Sequence, residues 1–425
     1  MKQKLIVLTG TVGDMLKLLA KNTSSLCGSF LLFLAGAKVA QEDRKKRIVV
    51  LFGGGIGDVA KRSVVCEYVK EHLSEYDVYY LMPYDISLPH GTMIHFDYKK
   101  AKINPLYYFR LVNKLRKIGF SRAIVLLPAW EGFLSSLGKN ILPDVVYRYT
   151  ETVPPEPIGF TSLLVGAFQP RQRIYRDIPV LSFYDKRWPE KYFPSDLYKI
   201  AYFFSQVVCD IEPDEAKNLN EKGLLKPDNL RTEIELVKND GKFKDLGDYC
   251  VIGLGSSFAG KNWSPEKFGQ VARLFSERNV KVVLVGGSES ANLVEAFKKA
   301  YGGEFIDLIN KTNLSELTNL INGSVLVLGN DTSFVHLAIA LMKPTVCPLY
   351  GKSIGADSFY GYEDINQWVF LENFSNIEPR EVGEKVEKAL AYIKAEGSVP
   401  RKKFALSFLE NNYVPLMKGD HAQPL

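Results

Sequence analysis

The chain has 425 residues, of which 46% are hydrophobic and 24% charged, with a formal net charge of +6. That length implies two domains, and the composition excludes a disordered chain. So mild a charge argues against an electrostatic nucleic-acid binder, while it fits an enzyme that handles phosphates or works beside an anionic membrane.

The first 45 residues form an N-terminal extension with one apolar stretch, LCGSFLLFLAGA, from Leu26 to Ala37. It is shorter than the ~20 residues a spanning helix needs, and it lies behind a polar lead containing Asp14. A short packed or surface-docked helix is expected, with a membrane-surface anchor as the alternative. Five scattered cysteines, Cys27, Cys66, Cys209, Cys250 and Cys347, form no C-x-x-C pair and no Cys/His cluster. That pattern suits a reducing cytoplasm and argues against zinc or disulfide scaffolds.

From Arg47 a regular alternation begins. RIVVLF reads as a buried strand, GGGIGD as a turn and VAKRSVVCEYVKEHL as a helix. DVYYLM and TMIHF then read as strands, PLYYFRLVNKLRKIG as a helix and SRAIVLLP as a strand, which implies βαβ units and a parallel sheet. The stretch 143–202 is rich in Pro, Tyr, Phe and Arg, and is expected to be an insertion of loops and short helices. The polar run Arg231 to Asp248 is the expected interdomain connection.

The second half restarts more cleanly. YCVIGLG reads as a strand, and SPEKFGQVARLFSERN as a helix with Ser264 at the N-cap and Pro265 at the first helical position. VKVVLVGG, EFIDLI, SVLVLGN and PTVCPLY follow as strands, alternating with the helices ESANLVEAFKKAYG, LSELTNLING and TSFVHLAIALM. The expected domains are therefore 46–238 and 239–390, both Rossmann-like, followed by a tail, 391–425, packing back on the first. Open parallel sheets bind ligands beyond the carboxyl ends of their strands, so chemistry is sought in the turns that follow them.

Four such turns carry candidates. In GGGIGD, Gly55 and Gly57 permit a close backbone turn and Asp58 is either a helix N-terminal carboxylate or a general base. Its spacing fails the phosphate-loop pattern, because Ala60 precedes Lys61 and no Ser or Thr follows directly. In LGSSFAGKNWSPEKF, Ser256, Ser257 and Lys261 are placed to meet phosphate oxygens, whereas Trp263 reads as a packing anchor. In GNDTSFVHLA, Asp331 and Thr332 precede a helix whose first N–H groups, around Ser333, make an anion site, with capping as the coexisting alternative. His336 lies one turn in, on the face of Thr332, and is either structural or part of the site. Glu289 follows a strand where a carboxylate can hold ribose hydroxyls, or it is a first-turn helix acid. The chain has no Asp-x-Asp motif, so metal-independent chemistry is the simpler expectation.

Taken together, GSSFAGKNWSPEKFGQVA, NDTSFVHLAIALMKPTVCPLYG and FGGGIGDVAKRSVV resemble glycosyltransferase family 9, the heptosyltransferase family. The likeness is strong in the second half and thin between the first motif and Tyr249. It implies a GT-B architecture, two Rossmann-like domains facing each other across a cleft. It also implies inverting, metal-free transfer from a nucleotide-diphosphate sugar, commonly ADP-heptose, with no cofactor. The implied roles are the base for Asp58, the donor phosphates for Lys261, the phosphate-binding helix start for Asp331 and Thr332, and the ribose for Glu289.

The chain departs from the family at Ser333, where glycine is usual, and at KSIGADSF after the last strand, which leaves the donor sugar open. The extension repeats the glycine-aspartate pattern in LIVLTGTVGDMLKLL, with Asp14 in the matching place. Asp58 is preferred because its βα continuation is intact. The expected acceptor is an anionic glycan or glycolipid of lipopolysaccharide-core type, met weakly by Arg171, Arg173 and Arg176. No nucleic-acid partner is expected. The expected location is cytoplasmic, with a peripheral contact on the inner membrane. The alternatives are a transferase using UDP- or GDP-sugars or a protein acceptor, and a non-catalytic binding protein of the same fold.

Overall fold

The computed structural model describes residues 27–32, 34–35, 44–128, 137, 140–150, 174–179, 196–213, 234–235, 242–256, 260, 262–350, 366–371 and 377–396. Spatial proximity groups the chain into two units. The first comprises Met1–Gly53, Val69–Tyr84 and His90–Glu190; the second comprises Gly54–Tyr68, Asp85–Pro89 and Lys191–Leu425.

The first unit holds a six-stranded parallel sheet. Its strands are β1 (Arg47–Leu51), β2 (Asp77–Met82), β3 (Thr92–His95), β4 (Arg122–Pro128), β5 (Val145–Thr150) and β6 (Ile174–Pro179), in the order β3-β2-β1-β4-β5-β6. After the half-buried Arg47, β1 is a run of buried β-branched and leucine side chains, as a strand covered on both faces requires. A short helix, α1, is described at 27–32 and 34. The chain between β3 and β4 forms α4 (Tyr98–Ile103) and α5 (Pro105–Ile118). Asn104 ends one and caps the other, its side chain accepting from the Tyr107 amide at 3.0 Å, with Pro105 at the first helical position. Leu111, Val112 and Leu115 of α5 pack on Val49, Leu51, Ala123 and Val125.

The expectation of loops and short helices over 143–202 is corrected here: this stretch supplies β5 and β6 and the start of a long helix, Asp196–Ile211. VVYRYT and IYRDIP mix charged and apolar residues because they finish one side of the sheet, where a strand need not be apolar throughout. Asp14, Arg171 and Arg173 lie outside the described residues, and Arg176 is described only as a position of β6 opposite Tyr147.

The second unit repeats the plan. It begins with the two short helices α2 (Ile56–Arg62) and α3 (Val65–His72), of which α3 runs on into the first unit, and with α6, the Asp196–Ile211 helix. Its sheet comprises β7 (Tyr249–Gly253), β8 (Lys281–Val285), β9 (Phe305–Asp307), β10 (Leu326–Gly329), β11 (Thr345–Tyr350) and β12 (Asn366–Leu371), all parallel, in the order β12-β11-β10-β7-β8-β9. Read from its other edge, this is the same doubly wound order as the first sheet, with the reversal between β7 and β10. The helices are α7 (Pro265–Ser276), α8 (Val294–Tyr301), α9 (Leu314–Gly323), α10 (Ser333–Ala340) and α11 (Pro379–Glu396). α11 thus runs past the boundary expected at 390.

α7 starts as its sequence dictates, with Ser264 accepting from the Lys267 amide, and it buries Phe268, Val271, Ala272 and Phe275 at helical spacing against Ile252 and Leu284. Fully burying side chains of this size stabilises by about 1.5–3 kcal/mol each. Within the connection expected at 231–248, of which 234–235 and 242–248 are described, Glu235 makes an antiparallel bridge with Ser87. β12 was not anticipated. Among the described residues, no helix is long and apolar enough to cross a membrane.

Candidate active site

At the strand-order reversal of the second sheet, β7 and β10 end in register on two glycines, Gly253 and Gly329. A methyl group on either would lie 2.2 Å from the Phe334 ring. The ring therefore rests on bare backbone and sets where α10 begins. Thr332 is the N-cap residue of α10, and helix geometry leaves the Ser333 and Phe334 amides without an intrahelical acceptor. The Thr332 hydroxyl is buried and has no hydrogen-bond partner among the described residues.

Asn330, fully buried, ties the preceding loop to this helix start. Its Oδ1 accepts from the Trp263 amide at 2.8 Å and its Nδ2 donates to the Leu254 carbonyl at 2.7 Å. Trp263 is the packing anchor expected of it. It is 1% exposed, stands edge-on to Phe268 and donates its indole N–H to the Ile377 carbonyl at 3.1 Å.

α2 crosses this helix start. A methyl on Gly57 would lie 2.7 Å from His336 Cδ2 and 3.3 Å from the Ser333 Cα, so only glycine lets the two backbones approach this closely. Asp58 is therefore not in a turn but in the first turn of α2, where its Oδ2 accepts from the Gly55 amide at 2.8 Å. The helix N-terminal reading of Asp58 holds, and the capping carboxylate also lines a cavity of about 940 Å³. Ser256, Glu289, Asp331, Thr332, Ser333 and His336 line the same cavity, as do Gly55 and Gly57. Ser257 and Lys261 lie outside the described residues.

The charges here are coupled. Burial pushes the Asp58 carboxyl up, but Arg62 first, then Lys61, the Gly55 amide and His336 outweigh it and hold it below the ordinary carboxylate value. Lys61 Nζ stands 3.5 Å from Asp58 Oδ1. His336 Nε2 lies 3.2 Å from Asp331 Oδ1. Burial is nevertheless the largest influence on that imidazole, and its basicity falls below the usual histidine value. Glu289 is a first-turn acid, its Oε1 accepting from the Gly287 amide at 3.0 Å, and it still faces the cavity.

Lys61 is the residue that sequence reasoning passed over. It entered only as a mismatch to a phosphate-loop pattern, although its place three residues after an aspartate on a helix puts both on one face. Asn313 and Asn310 also line the cavity and carried no motif.

Residues 222–357 match the model of glycosyltransferase family 9 (heptosyltransferase). This segment is a family 9 domain. Within it fall every cavity residue from Gly253 to His336, whereas α2 precedes it. A lipooligosaccharide heptosyltransferase 2 from Haemophilus influenzae is 29% identical over 158 residues, which cover 35% of this chain and 45% of that protein. The chain thus matches less than half the length of the curated relatives.

The solved family 9 glycosyl transferase from Veillonella parvula superposes with a TM-score of 0.59 at 18% identity, covering 83% of this chain and 99% of that one. E. coli ADP-heptose LPS heptosyltransferase II superposes at 0.58 with 14% identity, covering 82% and 99%. At such identities the likeness speaks for the fold. It is GT-B, two parallel-sheet Rossmann-like units, and the family 9 domain lies in the second.

Proposed function

We propose that this protein is an inverting, metal-independent glycosyltransferase. Its donor is a nucleotide-diphosphate sugar, most simply ADP-heptose, and its acceptor a hydroxyl of a lipopolysaccharide-core or similar cell-surface glycan. The observation that carries the reading is the approach of α2 to the start of α10 in one cavity. It brings an ionised carboxylate to the mouth of a helix whose first amides have no acceptor within it. The family 9 match over 222–357 and the names of the relatives favour the heptose donor.

In this reading Asp58 accepts the proton of the acceptor hydroxyl as its oxygen attacks the anomeric carbon from the face opposite the leaving group. The C–O bond to the diphosphate breaks, and its electron pair leaves with the nucleotide. The Ser333 and Phe334 amides, the Thr332 hydroxyl and Lys261 take up the charge that gathers on the diphosphate. Glu289 holds the ribose. His336, kept neutral and oriented by Asp331, is a hydrogen-bond donor or acceptor for the sugar without adding charge. A base held below the ordinary carboxylate range is always ionised at neutral pH, so it is ready to receive a proton.

Two measurements test this. ADP should raise the melting temperature more than UDP or GDP does; equal or reversed ranking removes the ADP assignment. Replacing Asp58→Asn should lower kcat about 10²–10⁴-fold while leaving nucleotide affinity within a few-fold. A variant that instead loses the nucleotide would mean that Asp58 serves only to cap α2.

A further inference from the structure

We propose that one corner of the first unit, built from α1, α4 and α5, docks on the surface of an anionic lipid bilayer. Among the described residues, the large apolar side chains left exposed are four: Phe30 at 46%, Leu34 at 64%, Ile103 at 80% and Leu106 at 59%. All four belong to this corner. α1 packs on the start of α5, where a methyl on Gly28 would lie 3.3 Å from the Pro105 carbonyl and 2.5 Å from the Tyr108 ring. Phe30 is two residues from Gly28, and Ile103 and Leu106 flank Pro105.

The inner face of α1 is pinned by polar bonds. Asn140 Nδ2 donates to Ser29 Oγ at 2.7 Å and to Tyr108 Oη at 2.8 Å. With Gly28, Ser29 and Leu32 turned inward and buried, the helical period turns Phe30 and Leu34, four apart, to the other side.

Charge supplies the identity of the occupant. From Tyr98 to Ile118 the chain carries Lys99, Lys100, Lys102, Arg110, Lys114, Arg116 and Lys117 and no acidic residue. Lys99, Lys100, Arg110, Lys114 and Lys117 are exposed, whereas Arg116 is buried and donates to the Asn140 carbonyl at 2.7 Å. The acid that precedes the run, Asp97, is engaged as the cap of α4, accepting from the Lys100 amide at 2.8 Å.

Two of the lysines lie over aromatic rings. Lys100 Nζ is 5.3 Å from the Tyr107 ring centre and Lys102 Nζ is 4.3 Å from that of Tyr98. Apolar side chains ringed by cations on amphipathic stems suit a headgroup layer, where the stems lie among the lipids and the charges reach the phosphates. A second copy of this chain would instead set cation against cation across the interface. The inference does not depend on the glycosyl-transfer reading.

The test is co-sedimentation of the full chain with phosphatidylglycerol–phosphatidylcholine vesicles and with phosphatidylcholine vesicles alone. The expected result is binding to the anionic vesicles that weakens with salt. The double variant I103E/L106E should weaken it by about tenfold or more, and so should K99E/K114E, because each acts on one of the two contributions to interfacial binding. Both alter exposed residues, so an unchanged melting temperature confirms that the fold is kept. No binding by the wild-type chain overturns the proposal. So does binding that both variants retain, which would place the contact elsewhere on the chain. Self-association abolished by I103E/L106E without any vesicle binding would show that the occupant is a second copy.

Discussion

Replacing Gly57→Ala perturbs the approach of α2 to α10 by a single methyl group, and two opposing effects can be weighed. Alanine is favoured over glycine within a helix by roughly 0.5–1 kcal/mol. Against this, the new Cβ would lie 2.7 Å from His336 Cδ2 and 3.3 Å from the Ser333 Cα. Overpacking of that kind costs about 1–3 kcal/mol, so a net destabilisation of about 1–2 kcal/mol is expected. The closer contact is with a side chain, so truncating His336→Ala should remove most of the penalty, leaving the looser backbone contact.

A double-mutant cycle isolates this coupling, with an expected interaction of about 1–2 kcal/mol. Denaturant melts followed by tryptophan fluorescence supply the four stabilities, Trp263 lying in the same unit. If Gly57→Ala melts at or above the parent in both backgrounds, the helices do not meet as described and the cavity loses one of its walls.

The acid limb of the rate profile should lie below the ordinary carboxylate range, because Arg62 and Lys61 hold Asp58 ionised. Lys61→Met should raise that limb by about one pH unit or less, since a charge at 3.5 Å is worth about 1.2 kcal/mol in a water-like medium. An unmoved limb would mean that the base is not Asp58. Stability should fall as pH drops below the usual histidine value, because the unfolded chain takes up a proton that buried His336 resists. A pH series of melts on His336→Gln should lose that component. Asn330→Ala strands the Trp263 amide and the Leu254 carbonyl, a cost of roughly 2–4 kcal/mol in a buried setting; a melt within error of wild type would contradict the bonding described.

How much could be read from the sequence varied with the kind of signal. The second sheet, its edge strand β12 apart, was legible because its strands are short apolar runs between helices with plain starts, such as Ser264-Pro265. β5 and β6 were not, because strands toward an edge carry Arg, Tyr and Asp that look like loop. Asp58 was singled out and its place at a helix N-terminus was one of its two readings, but the helix begins two residues earlier, at Ile56, than GGGIGD read as a turn suggests. The partnership of Lys61 with Asp58 needed the register of that helix. That Gly57 admits His336 could not be read at all, because the two residues meet only through the fold. His336 was flagged from helical spacing, whereas its pairing with Asp331 follows from the way α10 starts.

Gly253 and Gly329 have a wider consequence. Two absent methyl groups let one aromatic ring settle on the sheet, and that ring fixes the height at which the α10 amides stand above it. The floor of the cavity, which Gly253 and Phe334 themselves help to line, is thus set by the seating of that ring. Enlarging either glycine would lift the ring and with it the start of α10, so the cavity can be reshaped from the core outward as readily as from the rim.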